Sequence, residues 1–381
     1  MRVCATFHDG HLGGATLSVL NAVPELRERG FEFAFWVDRP SDLYDLLAEQ
    51  GHDVDGAPRQ VGFSARWLRT PPGPRKVRET PAWLAGWARF LRRRRPDVVH
   101  ANTLYTLPEA AIARALGLPV LFHVHEMLPP KGRLVPRAVD VLGIEAAAVS
   151  RACAAAFAGG GGSGARAPRV VHESAVVPPA PRPPRRAGDP LVVGTVGWVC
   201  ERKGTDVFLD VARRVRAAMP DVELRLIGPT TPDSHDYPWA QARVAEARAD
   251  GVRYWPRADV GAQLREWDVF LLCSRYDPFP LVVLEAMAHG VPVVATAVDG
   301  IPEQVTADCG LLAPSQDAGA LAAHVVALLA DPERRARMGV AGRARVLAEF
   351  TERHQARRLG EAYRDAAAQR PRDTAARRVA A

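Results

Sequence analysis

Residues 274–296 read SRYDPFPLVVLEAMAHGVPVVAT, a proline-punctuated turn, an apolar helix and a buried strand, with two carboxylates, Asp277 and Glu285, eight positions apart. Proline lacks an N–H and its ring clashes with the preceding helical turn, but it suits a first helical position. Pro278 and Pro280 therefore predict a helix that begins near Pro280 and Leu281. The free N–H groups of Leu281, Val282 and Val283 would then form an anion site at the positive end of that helix. Asp277 is held in the loop beside this site and Glu285 lies inside the helix. Each carboxylate can accept two hydroxyl hydrogens from a vicinal diol. Gly290 ends the helix and PVVAT returns to a sheet. A diphosphate flanked by two polyols describes a nucleotide sugar; a capping aspartate and an ordinary helix glutamate is the simpler alternative.

The same strand-then-helix unit recurs along the chain. RVCATF (2–7) precedes a helical pattern over 15–29, and FEFAFWV follows Gly30; DVVHAN (97–102), PVLFHVHE (119–126) and IEAAAVS (144–150) continue the series. Between 159 and 190 the texture changes to GGGGSGARAP and VVPPAPRPPRRAGDP, which breaks helix and strand and cannot bury a core. The alternation restarts with LVVGTVG (191–197), VELRLIG (222–228), VRYW (252–255), DVFLLCS (268–274) and PVVAT (292–296). Repeated strand–helix units predict an α/β protein with parallel sheets covered by helices on both faces. The domains read as two Rossmann-like, doubly wound units, 1–186 and 187–350, followed by a helical segment and a basic tail, 351–381.

Length and composition agree with that division. A chain of 381 residues exceeds one ordinary core, and 48% apolar with 24% charged residues is globular composition. The N-terminus meets His8 and Asp9 before an apolar run reaches signal-peptide length, and no run approaches the roughly 20 residues of a membrane span. A cytoplasmic protein is expected. The five cysteines are odd in number and widely spaced, with no CxxC pair, which argues against a disulfide framework and a zinc site. A net charge of +7 favours anionic partners. Nucleic acid is not expected, since the basic residues lack interleaved aromatics or a known module.

In doubly wound domains ligands bind beyond the carboxyl ends of the strands, which fixes where to look. After the first strand, FHDGHLGGAT carries His11, Gly13 and Gly14; the glycines let helix amides approach a phosphate or acceptor, or form a plain turn. After LVVGTVG, the turn WVCERKGTDVFL sets Arg202 and Lys203 just before a helix, where two cations and the macrodipole would hold a diphosphate; a solvated basic turn is the alternative. His123 and His125 alternate on one strand face, so they could ligate a metal, but no third ligand follows at a sensible spacing. His125, nearest the strand end, is the better hydrogen-bonding group, with Glu126 beside it. HANT places Asn102 and Thr103 as acceptor contacts. The helix PAWLAGWARFLRRRRP (81–96) gathers Trp83, Trp87, Phe90 and Leu91 on one face, ending in arginines. It reads either as a peripheral anchor on an anionic inner membrane face or as a core helix with a solvated basic end.

Taken together, these segments resemble a family 4 retaining glycosyltransferase of GT-B architecture, from Met1 to about residue 367. The glycine loop, the strand ending in His125, Lys203–Gly204 and DGIPE (299–303) follow the family's order. DPFPLVVLEAM resembles its E-x7-E signature, with Asp277 in the first position. The resemblance implies that Glu285 binds the ribose diol and that Asp277 meets donor-sugar hydroxyls. Backbone N–H groups near Phe279 to Val282 would assist, with Pro280, Leu281 and Val282 at the donor; Lys203 would bind the diphosphate, and His125 would touch the sugar near the reacting carbon. Backbone near Pro256 and Arg257 would meet the base. It further implies a last helix crossing back to the N-terminal domain. Because the cations and helix amides would do the work of a divalent ion, metal-independent transfer is expected, with no cofactor beyond the nucleotide sugar itself. The chain departs from the family at Trp198, where an arginine is usual, in HESAVV (172–177) where NG(V/I)D is usual, and in His125–Glu126 for His–Asp. A catalytically silent scaffold that binds a nucleotide or partner is the alternative reading. A dinucleotide oxidoreductase fits the folds but lacks the full glycine fingerprint.

Overall fold

Short runs that are apolar on both faces are what a parallel strand buried between two helical layers requires. In a computed structural model, which describes residues 1–8, 10–57, 74–128, 134–161, 167–183, 188–231 and 236–369, these runs form two all-parallel sheets. The first contains β1 (Arg2–Thr6), β2 (Glu32–Asp38), β3 (Asp53–Ala57), β4 (Val98–Asn102), β5 (Val120–Val124), β6 (Glu145–Ala148) and β7 (Arg169–Val170) in the order β3-β2-β1-β4-β5-β6-β7. The second contains β8 (Val192–Val196), β9 (Glu223–Ile227), β10 (Arg253–Trp255), β11 (Val269–Leu272), β12 (Val293–Thr296) and β13 (Gly310–Ala313) in the order β10-β9-β8-β11-β12-β13. Both orders reverse beside the first strand of their sheet, and that switch point is where doubly wound sheets bind ligands.

In the first sheet the connections are α1 (Gly14–Glu28), α2 (Asp42–Glu49), α3 (Pro74–Arg94), α4 (Leu107–Ala115), α5 (Leu134–Val141) and α6 (Arg151–Gly161). In the second they are α7 (Thr205–Ala218), α8 (Tyr237–Ala249), α9 (Val260–Leu264), α10 (Leu281–Ala288) and α11 (Ile301–Gln304), followed by α12 (Ala318–Ala330) and α13 (Pro332–Glu349). The strands missing from the sequence reading are edge or near-edge elements. β3 reads DVDGA and is only half-buried, so it carries neither an apolar run nor clean alternation.

The chain divides into two units, Met1–His172 with Glu352–Ala381, and Glu173–Thr351. The break at 172/173 precedes the 186/187 boundary read from composition. The proline-rich segment after His172 is fastened to the second unit: the Arg182 amide donates to the His289 carbonyl at 2.9 Å, and Arg343 donates to the Pro178 carbonyl at 2.7 Å. The glycine run is also not wholly a linker, because the alanine-rich α6 propagates through Gly159 to Gly161.

The last helix, α14 (Glu352–Ala368), returns to the first unit. Ala356, Leu359, Ala362, Tyr363 and Ala366 enter the same core as Val3, Val19, Phe33 and Leu121. The alternation of small and large residues on this face lets α14 pack closely on α1. The anchor reading of 81–96 is corrected here. Trp83, Trp87, Phe90 and Leu91 are all buried, the three aromatic rings packing at tilted angles on Trp36, and the two indole N–H groups donate to Glu109 at 2.8 and 3.0 Å. The aromatic face is therefore core, and Arg89, Arg92, Arg93 and Arg95 meet solvent on the other side. Among the described residues no helix is long and apolar enough to cross a membrane.

Candidate functional site

In the second unit the site is built where β8 and β11 end side by side. After β8 the chain makes a short 3-10 turn, Glu201–Lys203, and reaches Gly204 at φ 66°. A Cβ on Gly204 would stand 2.0 Å from the Cys273 carbonyl oxygen. Only glycine fits this left-handed, close approach, and it presses the basic turn against the loop that follows β11. Lys203 Nζ thereby lies 2.6 Å from Asp277 Oδ2, with Arg202 at 3.8 Å from Oδ1 and the Ser274 hydroxyl donating at 3.1 Å. Asp277 is only 4% exposed. Burying a carboxylate is costly unless cations and hydroxyls surround it, and Lys203, Arg202 and Ser274 do so here.

A second aspartate fixes the loop. Asp299, in the left-handed conformation at φ 45°, accepts the Asp277 amide on Oδ2 at 2.7 Å. Burial, with the neighbouring Asp277 charge adding to it, pushes the Asp299 carboxyl upward. Neither Ser274 nor Asp299 stood out in the sequence as a site residue. Ser274 is an ordinary strand-end serine, and Asp299 had only its place before Gly300 to mark it. Arg275 is spoken for by Asp206 at 2.6 and 2.9 Å, which leaves Arg202 as the more available arginine. Its guanidinium lies 5.8 Å from the ring of exposed Tyr276. Trp198 is 40% exposed, so the position where an arginine is usual presents an indole to solvent.

The helix predicted from the prolines begins where expected: Pro280 is the N-cap and α10 runs Leu281–Ala288, with Gly290 beyond it at φ 75°. One correction concerns its amides. The Val283 N–H already donates to the Pro280 carbonyl at 3.2 Å, leaving Leu281 and Val282 as the amides for a ligand. Phe279 is buried against Phe350, ring centroids 5.8 Å apart, so only its backbone is on offer. Pro256 and Arg257 are exposed just past β10.

Glu285 has a different character from Asp277. No group among the described residues donates to its carboxylate, and burial alone pushes its carboxyl upward. Folding thus favours the protonated form more than the unfolded chain does. That contribution is fully present below the ordinary carboxyl pKa and is lost as pH rises through the folded value. Glu285→Gln is accordingly expected to stabilise the ligand-free protein by on the order of 1 kcal/mol at about pH 7, and to change little at about pH 4. Denaturant unfolding at the two pH values checks the sign; destabilisation at neutral pH would show that the carboxylate has a partner.

In the first unit the corresponding strand ends carry the other predicted residues. Gly13 is the N-cap of α1 at φ −85°, an angle any residue adopts, and a Cβ there would meet nothing within 4 Å. The fold does not demand this glycine, so the open space is what it preserves. Gly14 and His11 are exposed beside it. His125 is 8% exposed at the end of β5, its ring 4.2 Å from that of fully buried His123. Burial, with His125 and His100 nearby, holds His123 well below its ordinary range, and neither of its ring nitrogens has a partner among the described residues. Among those residues no three His, Cys, Asp or Glu side chains come together as a metal site.

The residues expected to touch an acceptor are partly committed to the backbone. Glu126 Oε2 accepts the amides of Leu104 at 3.1 Å and His125 at 3.2 Å, and burial pushes its carboxyl upward. Asn102 is fully buried and donates to the Ala15 carbonyl at 3.1 Å. Thr103 is buried with φ 82°, its amide donating to the His123 carbonyl. All three shape the strand ends.

Two family descriptions match this chain: "Glycosyl transferase 4-like domain" over residues 13–158 and "Glycosyl transferases group 1" over residues 190–331. The two ranges together fill most of the chain, which belongs to this glycosyltransferase family. It is 36% identical over 160 residues to the GDP-mannose-dependent monoacylated alpha-(1-6)-phosphatidylinositol monomannoside mannosyltransferase of Corynebacterium glutamicum, covering 39% of this chain and 41% of that protein. It is 38% identical over 193 residues to alpha-maltose-1-phosphate synthase of Mycolicibacterium smegmatis, covering 46% and 48%. The matched segments span under half the length of these two curated relatives. The fold resembles that of Anabaena HepE, solved with UDP and glucose, at a TM-score of 0.78 and 21% identity, covering 95% of this chain and 98% of that one. It also resembles sucrose-phosphate synthase of Thermosynechococcus elongatus at a TM-score of 0.75 and 21% identity, covering 96% and 98%. These likenesses establish the GT-B fold of two Rossmann-like domains.

Proposed function

We propose that this protein transfers a sugar from a nucleoside diphosphate sugar to an acceptor hydroxyl, with retention at the anomeric carbon and without a divalent metal. The observation that carries the reading is the pairing of two unlike carboxylates about one helix start. Asp277 is compensated by Lys203, Arg202 and Ser274, whereas Glu285 is half-buried and has no side-chain donor to its carboxylate among the described residues. A partly desolvated carboxylate without donors gains from a ligand that supplies them, and a ribose diol supplies two. The relatives' names support the donor class, one being GDP-mannose-dependent, and a fold relative was solved with UDP and glucose.

On this reading Lys203, Arg202 and the amides of Leu281 and Val282 neutralise the charge that grows on the leaving diphosphate, and such prearranged donors supply most of the catalysis. Asp277 receives sugar hydroxyls, and backbone at Pro256 and Arg257 meets the base. The acceptor oxygen bonds the anomeric carbon as the bond to the diphosphate breaks, and a donor phosphate oxygen takes the acceptor proton on the same face. The acceptor is a hydroxyl of a lipid-linked saccharide, a surface polysaccharide or a small natural product.

Incubation with UDP-, GDP-, TDP- and ADP-sugars, read as release of nucleoside diphosphate, tests the proposal. Release from one donor, undiminished by chelator, is expected. No release from any donor favours the silent scaffold, to which the exposed Trp198 lends support; activity lost to chelator and restored by magnesium or manganese rejects metal independence. Glu285→Gln should weaken the nucleotide by about 1.5 kcal/mol, more than tenfold in Kd by calorimetry. Unchanged affinity would remove Glu285 from the ribose.

A further inference from the structure

The loop 277–280 is gripped by the segment that follows β12. The Asp299 carboxylate accepts the Asp277 amide at 2.7 Å, and the Gly300 amide donates to the Asp277 carbonyl at 3.3 Å. A Cβ on Gly300 would stand 1.9 Å from the Pro278 carbonyl oxygen, so the two backbones touch there. Further on, Gln304 ends α11, fully buried, and its Nε2 donates to the Pro280 carbonyl at 3.0 Å. The gripping segment is itself fixed from α13, where Arg345 donates to the Glu303 and Gln304 carbonyls, both at 2.9 Å, and to Glu349 at 2.8 Å.

Gln304 is not the residue that packing alone would select. Its Oε1 is buried with no partner among the described residues, and such an oxygen destabilises where an apolar side chain of the same length would not. Its effect lies at the far end of the peptide it holds. The Pro280–Leu281 bond is trans, and in a planar trans peptide the C=O and N–H point in opposite directions. The Pro280 carbonyl accepts from Gln304 and, at 3.2 Å, from the Val283 amide, so both of its lone pairs are turned into the protein. The Leu281 N–H on the same plane is thereby aimed the other way. With Val282, it is an amide left for a ligand at the start of α10. A carbonyl that accepts a hydrogen bond also polarises the N–H across its own peptide, which makes that N–H a stronger donor.

We propose that Gln304 is a positioning residue for the anion site: by holding the Pro280 carbonyl it orients and strengthens the Leu281 N–H that meets the donor diphosphate. The effect on diphosphate rests on the transferase reading, whereas the effect on the peptide does not.

The test uses Gln304→Met in the full-length protein, which keeps the length of the side chain and removes its donor. In nitrogen-15 spectra the Leu281 amide nitrogen should move upfield while the amides of 205–218 stay in place. Of UDP, GDP, TDP and ADP, the one that the native protein binds should bind the variant about fivefold more weakly by calorimetry, and the matching nucleoside, with no phosphate to meet Leu281, should bind both proteins within about twofold. A second measurement needs no variant: saturating the native protein with that diphosphate should move the Gln304 Nε2–H resonance downfield together with the Leu281 N–H, although a fully buried side chain cannot touch the ligand. An unmoved Leu281 resonance in Gln304→Met, equal losses for nucleoside and diphosphate, or a Gln304 Nε2–H that ignores the diphosphate would overturn the proposal. Should Gln304→Met fail to fold, the native titration decides it. Should no nucleoside diphosphate bind the native protein, the Leu281 resonance of the variant still decides whether Gln304 sets this peptide, and only the functional reading falls.

Discussion

Lys203→Ala is expected to lower kcat by about a hundredfold to a thousandfold, the loss of roughly 2.7–4 kcal/mol seen when one prearranged donor to developing charge is removed. The same change should destabilise the ligand-free protein. Lys203 and Asp277 side chains are 13% and 6% exposed and 2.6 Å apart, so truncation leaves a buried carboxylate short of its nearest cation. The Ser274 hydroxyl and Arg202 remain, which puts the loss near about 3 kcal/mol, the low end for a broken buried pair. The two effects separate by remedy: Lys203→Arg restores the charge and should recover most of the stability, but its larger, forked head should recover less of the rate. A Lys203→Ala protein that turns over at the native rate would remove the cation from the diphosphate.

Asp277→Asn should reduce turnover about a hundredfold, or about 2.7 kcal/mol, while changing the affinity for free nucleoside diphosphate by less than about threefold. Free diphosphate has no sugar to place against Asp277, so its binding does not sense the missing charge directly. It gains slightly where Lys203, released from the ion pair, turns to phosphate. Calorimetry with the diphosphate and kinetics with the full donor separate the two. If diphosphate affinity falls more than turnover does, Asp277 belongs to the phosphate subsite and the sugar lies elsewhere.

Much of this was legible because the signals are local. Prolines at 278 and 280 mark a helix start, Gly204 marks the tight turn, and apolar runs bounded by turn residues mark buried parallel strands. Pro280 is the N-cap of α10 as the spacing predicts. What the sequence hid depends on contacts made at long range. β3 is polar because it lies at a sheet edge, and composition gave no sign that residues 173–183 are strapped to the second unit by Arg343 and the His289 carbonyl. The tryptophan helix has the same amphipathic pattern whether its partner is a bilayer or Trp36, and only the packing decides. Asp299 and Tyr363 lie 22 and 263 positions from the residues they hold, a separation no short motif spans.

The central claim, that two carboxylates about one helix start receive a nucleoside diphosphate sugar, meets its most direct test in thermal unfolding. Native protein and Glu285→Gln would be melted against UDP, GDP, TDP and ADP and their sugars. One base family should stabilise the native protein by about 2.7 kcal/mol at a hundred times its dissociation constant, and should stabilise Glu285→Gln markedly less at the same concentration. Equal stabilisation of both proteins, or none of the native protein by any nucleotide, would contradict the account.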